Sequence, residues 1–264
     1  DERRERPPQW PVLPLAALCA TTPYTERTRL MLTTEAQENE MGEKSYREFM
    51  AKAAPSRNRV YVGMVERVGR RLAAVAGKPD YKWEFTVVES KEVNAFCLPG
   101  GKIVFYTGIM PMFENEAELA VVMGHEIAHA VLRHGGERMS QAMAANVVGS
   151  ILGALTEKDG KRELYMAAFG GITTVGLILP YSRKHEYEAD ETGTLFTAKA
   201  GYAPDAAVSF WQKMMKQGGA RPPEFLSTHP ADNKRVEYLR KLMPRMKQVY
   251  SAAAEKHGYG EALR

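Results

Sequence analysis

Cysteine is scarce: Cys19 and Cys97 are the two in 264 residues, too few for a disulfide framework. One bridge between them stays open, although Cys97 lies in an apolar stretch and reads as a buried thiol. Charge of one sign is equally sparse. The formal net charge is +4, with no long Lys/Arg run and no basic stripe interleaved with aromatics, so nucleic-acid binding has no support. No internal repeat or second domain is visible. What remains is ordinary for a globular chain: 44% hydrophobic and 26% charged residues, at a length that can bury a sizeable core. The fourteen methionines are scattered through helical-looking stretches and read as core filling.

Long apolar runs are few. Residues 164–181 are uncharged throughout, at the lower limit of length for crossing a bilayer. With residues 142–155 they read either as a buried core helix or membrane-apposed hairpin, or as a true span. At the N-terminus a charged stretch (1–6) precedes a short apolar run (10–18) and then Cys19. That order resembles the end of a bacterial lipoprotein signal, whose cysteine is acylated, although Leu18 stands where a small residue is expected; a disordered Pro-rich leader is the alternative. The expected organisation is a leader over 1–20 and a single domain over 21–264.

Thr34 followed by Gln37 forms a capping-box start to a helix running to residue 54, closed by Pro55. Residues 57–76 place Val60, Met64, Val68, Leu72 and Val75 near helical spacing, with Gly77 after them. Residues 82–88 read as a strand, and 93–98 with 102–107 as a hairpin around Pro99-Gly100-Gly101. Residues 115–134 are helical and apolar almost all round, which predicts a helix in the middle of the domain. A further helix over 205–216, a Gly/Pro loop over 218–223 and a mostly helical tail follow. The predicted class is α+β: a mostly helical domain with a small β-sheet next to this central helix.

The chemistry lies in His125-Glu126-Ile127-Ala128-His129, an H-E-x-x-H motif on that central helix. Residues four apart on a helix are offset by about 40°, so both imidazoles can reach one ion. Two neutral imidazoles and a carboxylate suit one Zn²⁺ and leave a fourth position for water. Glu126 is placed to take the proton of that water. Without a partner, such groups on an apolar buried helix would cost several kcal/mol.

The third ligand lies elsewhere. The extended pattern H-x-x-G-x-x-H is excluded, because position 132 is leucine and position 135 glycine. His134 reads as a solvated helix-end histidine rather than a ligand. The best carboxylate source is the segment from Ser182 to Asp190, where Glu186, Ala189, Asp190 and Gly193 share one helical face. Gly124 and Ala128 form a similarly slim strip on the H-E-x-x-H helix. The two faces are expected to meet, with Glu186 on the metal and Asp190 holding an imidazole N–H.

These residues resemble those of the HtpX-like and CAAX-prenyl-protease-like zinc metallopeptidases of the gluzincin group. The likeness rests on His125-Glu126-x-x-His129, on Ser182-Arg183-x-x-Glu186-x-Glu188-Ala189-Asp190, and on Asn94-Ala95-Phe96 with Pro99-Gly100-Gly101. It runs from about residue 21 to about residue 235 and is greatest to the soluble envelope lipoprotein branch. It implies Glu186 as third zinc ligand and Asp190 as a catalytic-support residue. His229, in Thr228-His229-Pro230, is similar to a His-Pro motif of that branch, which implies an oxyanion stabiliser or a transient fourth ligand. Asn94, Ala95 and Phe96 resemble the strand on which an extended peptide adds.

The expected function is zinc-dependent endopeptidase, in quality control or assembly of cell-envelope proteins on the periplasmic side of bacteria. The expected partner is polypeptide substrate, with membrane association through acylated Cys19 or the apolar helices. Two rivals stand beside it: a latent zinc-containing envelope chaperone, and an integral-membrane prenyl-protein protease.

Overall fold

The computed structural model describes residues 19–155, 182–217, 223–230 and 232–258. The apolar segment 164–181 and the loop 218–222 lie outside them. Among the described residues no helix is long and apolar enough to cross a membrane.

At the centre is α3 (Glu116–Val131), every residue of which is buried. Asn115 caps it by accepting the N–H of Glu118. A helix apolar on all sides has to be covered on all sides. The cover comes from α2 (Arg59–Val75), α5 (Arg183–Lys199), α6 (Ala206–Gln217) and a small sheet. Behind α5 packs α8 (Asn233–Ala252); α1 (Glu35–Met50) lies on the sheet, and α4 (His134–Leu155) follows α3 after a turn. This is the α+β, mostly helical class read from the sequence.

The sheet joins β3 (Glu84–Val88), β4 (Ala95–Leu98) and β5 (Lys102–Tyr106) in the order β3-β5-β4. The hairpin expected around Pro99 is present, with Ala95 opposite Phe105 and Leu98 opposite Lys102. Gly100 and Gly101 take φ of 80° and 87° there, the left-handed region glycine tolerates best. Against sequence order, β3 lies parallel to β5, leaving β4 at an edge beside α3.

Two boundaries differ from expectation. Helix α1 has its capping box at Thr34 but ends at Met50 rather than at residue 54, because residues 54–56 run alongside β3: Ser56 N–H donates to Val87 and Glu89 N–H to Ala54. Val60, assigned to the inward face of α2, is 52% exposed, because it lies in the first turn, at the edge of the packed region.

The contact between α3 and α5 is the one the small residues predict. A Cβ on Gly193 would lie 2.7 Å from His125 N and 2.8 Å from Gly124 O. Thr197 Oγ1 bonds the Ala120 carbonyl across the same seam at 3.2 Å. The two backbones therefore touch, which brings the side chains flanking the seam together.

A short N-terminal hairpin, β1 (Cys19–Thr21) with β2 (Thr28–Leu30), is tied to α4 and α5 through Arg27. Its guanidinium donates to both oxygens of Glu137 (2.8 and 2.7 Å) and both of Glu188 (2.8 and 2.8 Å). Burial raises the pKa of both acids, but bonds from Arg27 and His185 outweigh it at Glu137, pulling that carboxyl down to about 2. Bonds from His134, Arg27 and Thr25 do the same at Glu188, well below the usual carboxylate range. A carboxyl whose folded pKa is depressed contributes stability above its ordinary value of 4.5 and loses it as pH falls. The midpoint of thermal unfolding should therefore drop between about pH 4.5 and about pH 2, and Arg27→Met should flatten that drop. Melting curves across this range check it.

Candidate metal centre

His125 and His129 project from adjacent turns of α3, and Glu186 from the first turn of α5, which Ser182 caps through the His185 N–H. His229 follows the short helix α7 (Glu224–Thr228), which the Phe225 N–H fastens to the Val93 carbonyl at 3.0 Å. One donor atom from each of His125, His129, Glu186 and His229 lies within 4.8 Å of the others, and all four residues are buried.

The spacing is informative. His125 Nε2 is 3.1 Å from His129 Nε2, 3.3 Å from His229 Nδ1 and 3.4 Å from Glu186 Oε2. His129 Nε2 and His229 Nδ1 are 3.4 and 3.2 Å from Glu186 Oε1. Four donors around a tetrahedral ion at about 2.0–2.1 Å are separated by about 3.3 Å. The residues present therefore fit a divalent cation.

Electrostatics agrees with the fit. Burial opposes charge on His125, but the carboxylates of Glu186 and Asp190 outweigh it and raise the ring to about 9. A position that attracts a proton this strongly offers a cation the same negative potential. Burial alone would also raise Glu186; Arg235, His229 and His125 instead hold it well below the usual range. His129, dominated by burial, is pushed well below 6.5 and so stays neutral, as a ligand must.

Glu126 lies beside the donors. Its Oε1 is buried, has no hydrogen-bond partner among the described residues, and faces His229 Nε2 at 3.4 Å. Burial raises its pKa, making the carboxylate a stronger base. Asp190 Oδ1 lies 3.2 Å from His125 Nδ1, off the line of a full hydrogen bond. Both oxygens of Asp190 accept from Arg235, at 2.8 and 2.7 Å. Arg235 also reaches Glu186 Oε2 at 2.8 Å and the Pro230 carbonyl at 2.8 Å, and its guanidinium lies 4.0 Å from the centroid of the Trp211 ring. The sequence signal for Arg235 is its place five residues beyond Pro230.

Asn94 and Ala95 stand at the start of the β4 edge. The Phe96 ring turns away from α3, edge-on to Phe49 at 5.2 Å, so only its main chain faces that edge. A cavity of ≈ 170 Å³ opens beside His129, lined in part by Met41, Cys97, Leu98 and Met139. The Cys97 thiol is buried as expected, and burial pushes its pKa up, while the residue as a whole is half-buried and lines this cavity.

His134, expected to be solvated, is instead fully buried. Arg133 takes φ of 55°, so the chain turns sharply and starts α4 at once, folding His134 inward.

A helix carrying two imidazoles, a second helix supplying a carboxylate and an edge strand beside them can be compared with known proteins. Residues 62–243 match the model of peptidase family M48. The chain belongs to this family. It is 34% identical over 228 residues to the mitochondrial metalloendopeptidase OMA1 of Schizosaccharomyces pombe, covering 84% of this chain and 66% of that protein. To the human metalloendopeptidase OMA1, mitochondrial, it is 32% identical over 243 residues, covering 86% and 46%. To the beta-barrel assembly-enhancing protease of Escherichia coli it is 28% identical over 227 residues, covering 83% and 46%. The chain thus spans less than two thirds of the length of these relatives. M48 proteins are metal-dependent peptidases, and the buried His/Glu cluster is compatible with that chemistry.

Proposed function

We propose that this M48 chain is a zinc-dependent endopeptidase in which His125, His129 and Glu186 hold one Zn²⁺. The observation that carries it is the 3.1–3.4 Å spacing of buried donors on His125, His129 and Glu186, with the buried Oε1 of Glu126 alongside. When bound, the ion supplies Lewis acidity toward water and the scissile carbonyl. Glu126 takes the proton from the attacking water and passes it to the leaving amine. Asp190, steadied by Arg235, orients the His125 ring through Nδ1. The open edge of β4 at Asn94, Ala95 and Phe96 pairs with an extended polypeptide substrate, and the adjoining cavity takes an apolar side chain. His229 donates a ring N–H to the developing oxyanion.

The finer assignments follow the resemblance: the envelope lipoprotein branch, with acylated Cys19 as anchor, and a place on the periplasmic side of the bacterial envelope. Similarity to a beta-barrel assembly-enhancing protease supports a substrate among misassembled envelope proteins.

A second reading, a latent assembly factor with little proteolysis, is favoured by one observation. His229 Nδ1 stands among the donors, so four protein groups fill the set and leave no position for water.

Casein cleavage decides between them. Endopeptidase action predicts cleavage lost to a chelator and restored by zinc. Glu186→Ala should reduce bound zinc from one equivalent to a small fraction, read by metal analysis of the purified protein. In the same assay His229→Ala lowers cleavage if His229 stabilises the oxyanion and raises it if His229 blocks the site. Unaltered protein that neither binds zinc nor cleaves casein would end both readings.

A further inference from the structure

On the far side of the His129 ring runs a line of buried polar groups that the proposed reaction does not use. His134 Nδ1 lies 2.9 Å from His129 Nδ1, and His134 Nε2 lies 3.1 Å from Glu188 Oε2. Glu188 in turn accepts from Arg27 Nε and Nη2, each at 2.8 Å, and from Thr25 Oγ1 at 2.7 Å. The His134 ring is clamped by His185, stacked at 4.4 Å and 23°, whose Nε2 meets Glu137 Oε2 at 3.2 Å.

Counting protons along this line leaves two arrangements. A carboxylate held by a guanidinium and a hydroxyl only accepts, so the proton between Glu188 and His134 belongs to His134 Nε2. Two Nδ1 atoms 2.9 Å apart share one proton. Placed on His134, it would make a buried imidazolium and leave the proton of His129 on Nε2, pointing into the donor set and closing it to a cation. Placed on His129, it leaves a bare Nε2 lone pair aimed at the atoms of His125 and Glu186.

We propose that Glu188 and His134 are positioning residues for the metal centre: together they select the His129 tautomer that carries its proton on Nδ1 and offers Nε2 to the ion. Arg27 and Thr25, in the turn between β1 and β2, hold Glu188 in its accepting state, so the N-terminal hairpin is part of how the site is built. The inference rests on the reading of His125, His129 and Glu186 as metal ligands.

The test uses the full chain with histidine labelled by ¹⁵N. Long-range ¹H–¹⁵N spectra of the zinc-loaded protein should show His134 neutral with its proton on Nε2, and His129 with its proton on Nδ1. A proton on His134 Nδ1 overturns the proposal, and this measurement needs no variant to fold. Zinc affinity, read by competition with a chromophoric chelator, supplies the second readout. His134→Phe should weaken binding by about 10- to 100-fold. His134→Asn, whose amide oxygen can stand where Nδ1 stands, should recover most of it. Equal losses in the two variants with unchanged melting, or no loss in either, would reduce His134 to packing. Unaltered protein that binds no zinc would instead overturn the underlying metal assignment.

Discussion

Glu126→Gln is expected to keep its zinc and lose peptidase activity by about 10²- to 10⁴-fold, the usual worth of a general base. Glutamine has nearly the same shape, so the buried site beside His229 Nε2 loses a charge and little packing. The lost property is the ability to accept a proton. Burial raises the pKa of the Glu126 carboxyl, which brings its basicity closer to neutral pH and makes the substitution costly for rate. The metal need not notice, because Glu126 is outside the donor set of His125, His129, Glu186 and His229. Metal analysis and casein turnover on the same sample give both numbers. A variant with full turnover would remove Glu126 from the chemistry. One that lost its zinc would show that the carboxylate had been holding the site together.

The second large effect is far from any proton. In Gly193→Val the new Cβ would meet backbone atoms at 2.7–2.8 Å, His125 N and Gly124 C and O among them, and no flexible side chain can yield. The helices α3 and α5 would have to part. Overpacking of this kind costs about 1–3 kcal/mol, a fall in melting temperature of roughly 3–10 °C for a domain of this size. Because His125 and His129 ride on one helix and Glu186 on the other, zinc affinity should fall with it. Calorimetry and a zinc titration read the two losses. An unchanged melt would mean the backbones are not in contact at this seam.

That seam shows how far local pattern reaches. Gly124 and Ala128 on one helix, with Ala189 and Gly193 on the other, were legible as two slim faces because helical period and side-chain size are properties of the chain itself. The burial of α3 followed from its apolar circumference, and the capping box at Thr34 from two side chains three residues apart. His134 was illegible for the opposite reason. Nothing within a few residues tells a histidine at a helix break whether the next helix turns out to solvent or folds back. The positive φ at Arg133 and the Arg27 hairpin 106 positions upstream of Arg133 decide it. The burial of the Cys97 thiol follows from its apolar stretch, but the cavity beside it forms only when α1 and α4 arrive.

Residue spacing was enough to define the helix that carries His125, Glu126 and His129, the helical face that carries Glu186 and Asp190, and the α+β class. Each follows from spacing within a single element, where neighbours along the chain are also neighbours in space. The packing of separate elements sets the parallel pairing of β3 with β5, which puts β4 at the edge of the described sheet beside α3. It also decided that Arg235 braces Asp190 and Glu186, and that Glu188 reaches His134 from 54 residues away. Such contacts join side chains from separate elements, and their partners are chosen by how those elements pack, which no local periodicity encodes.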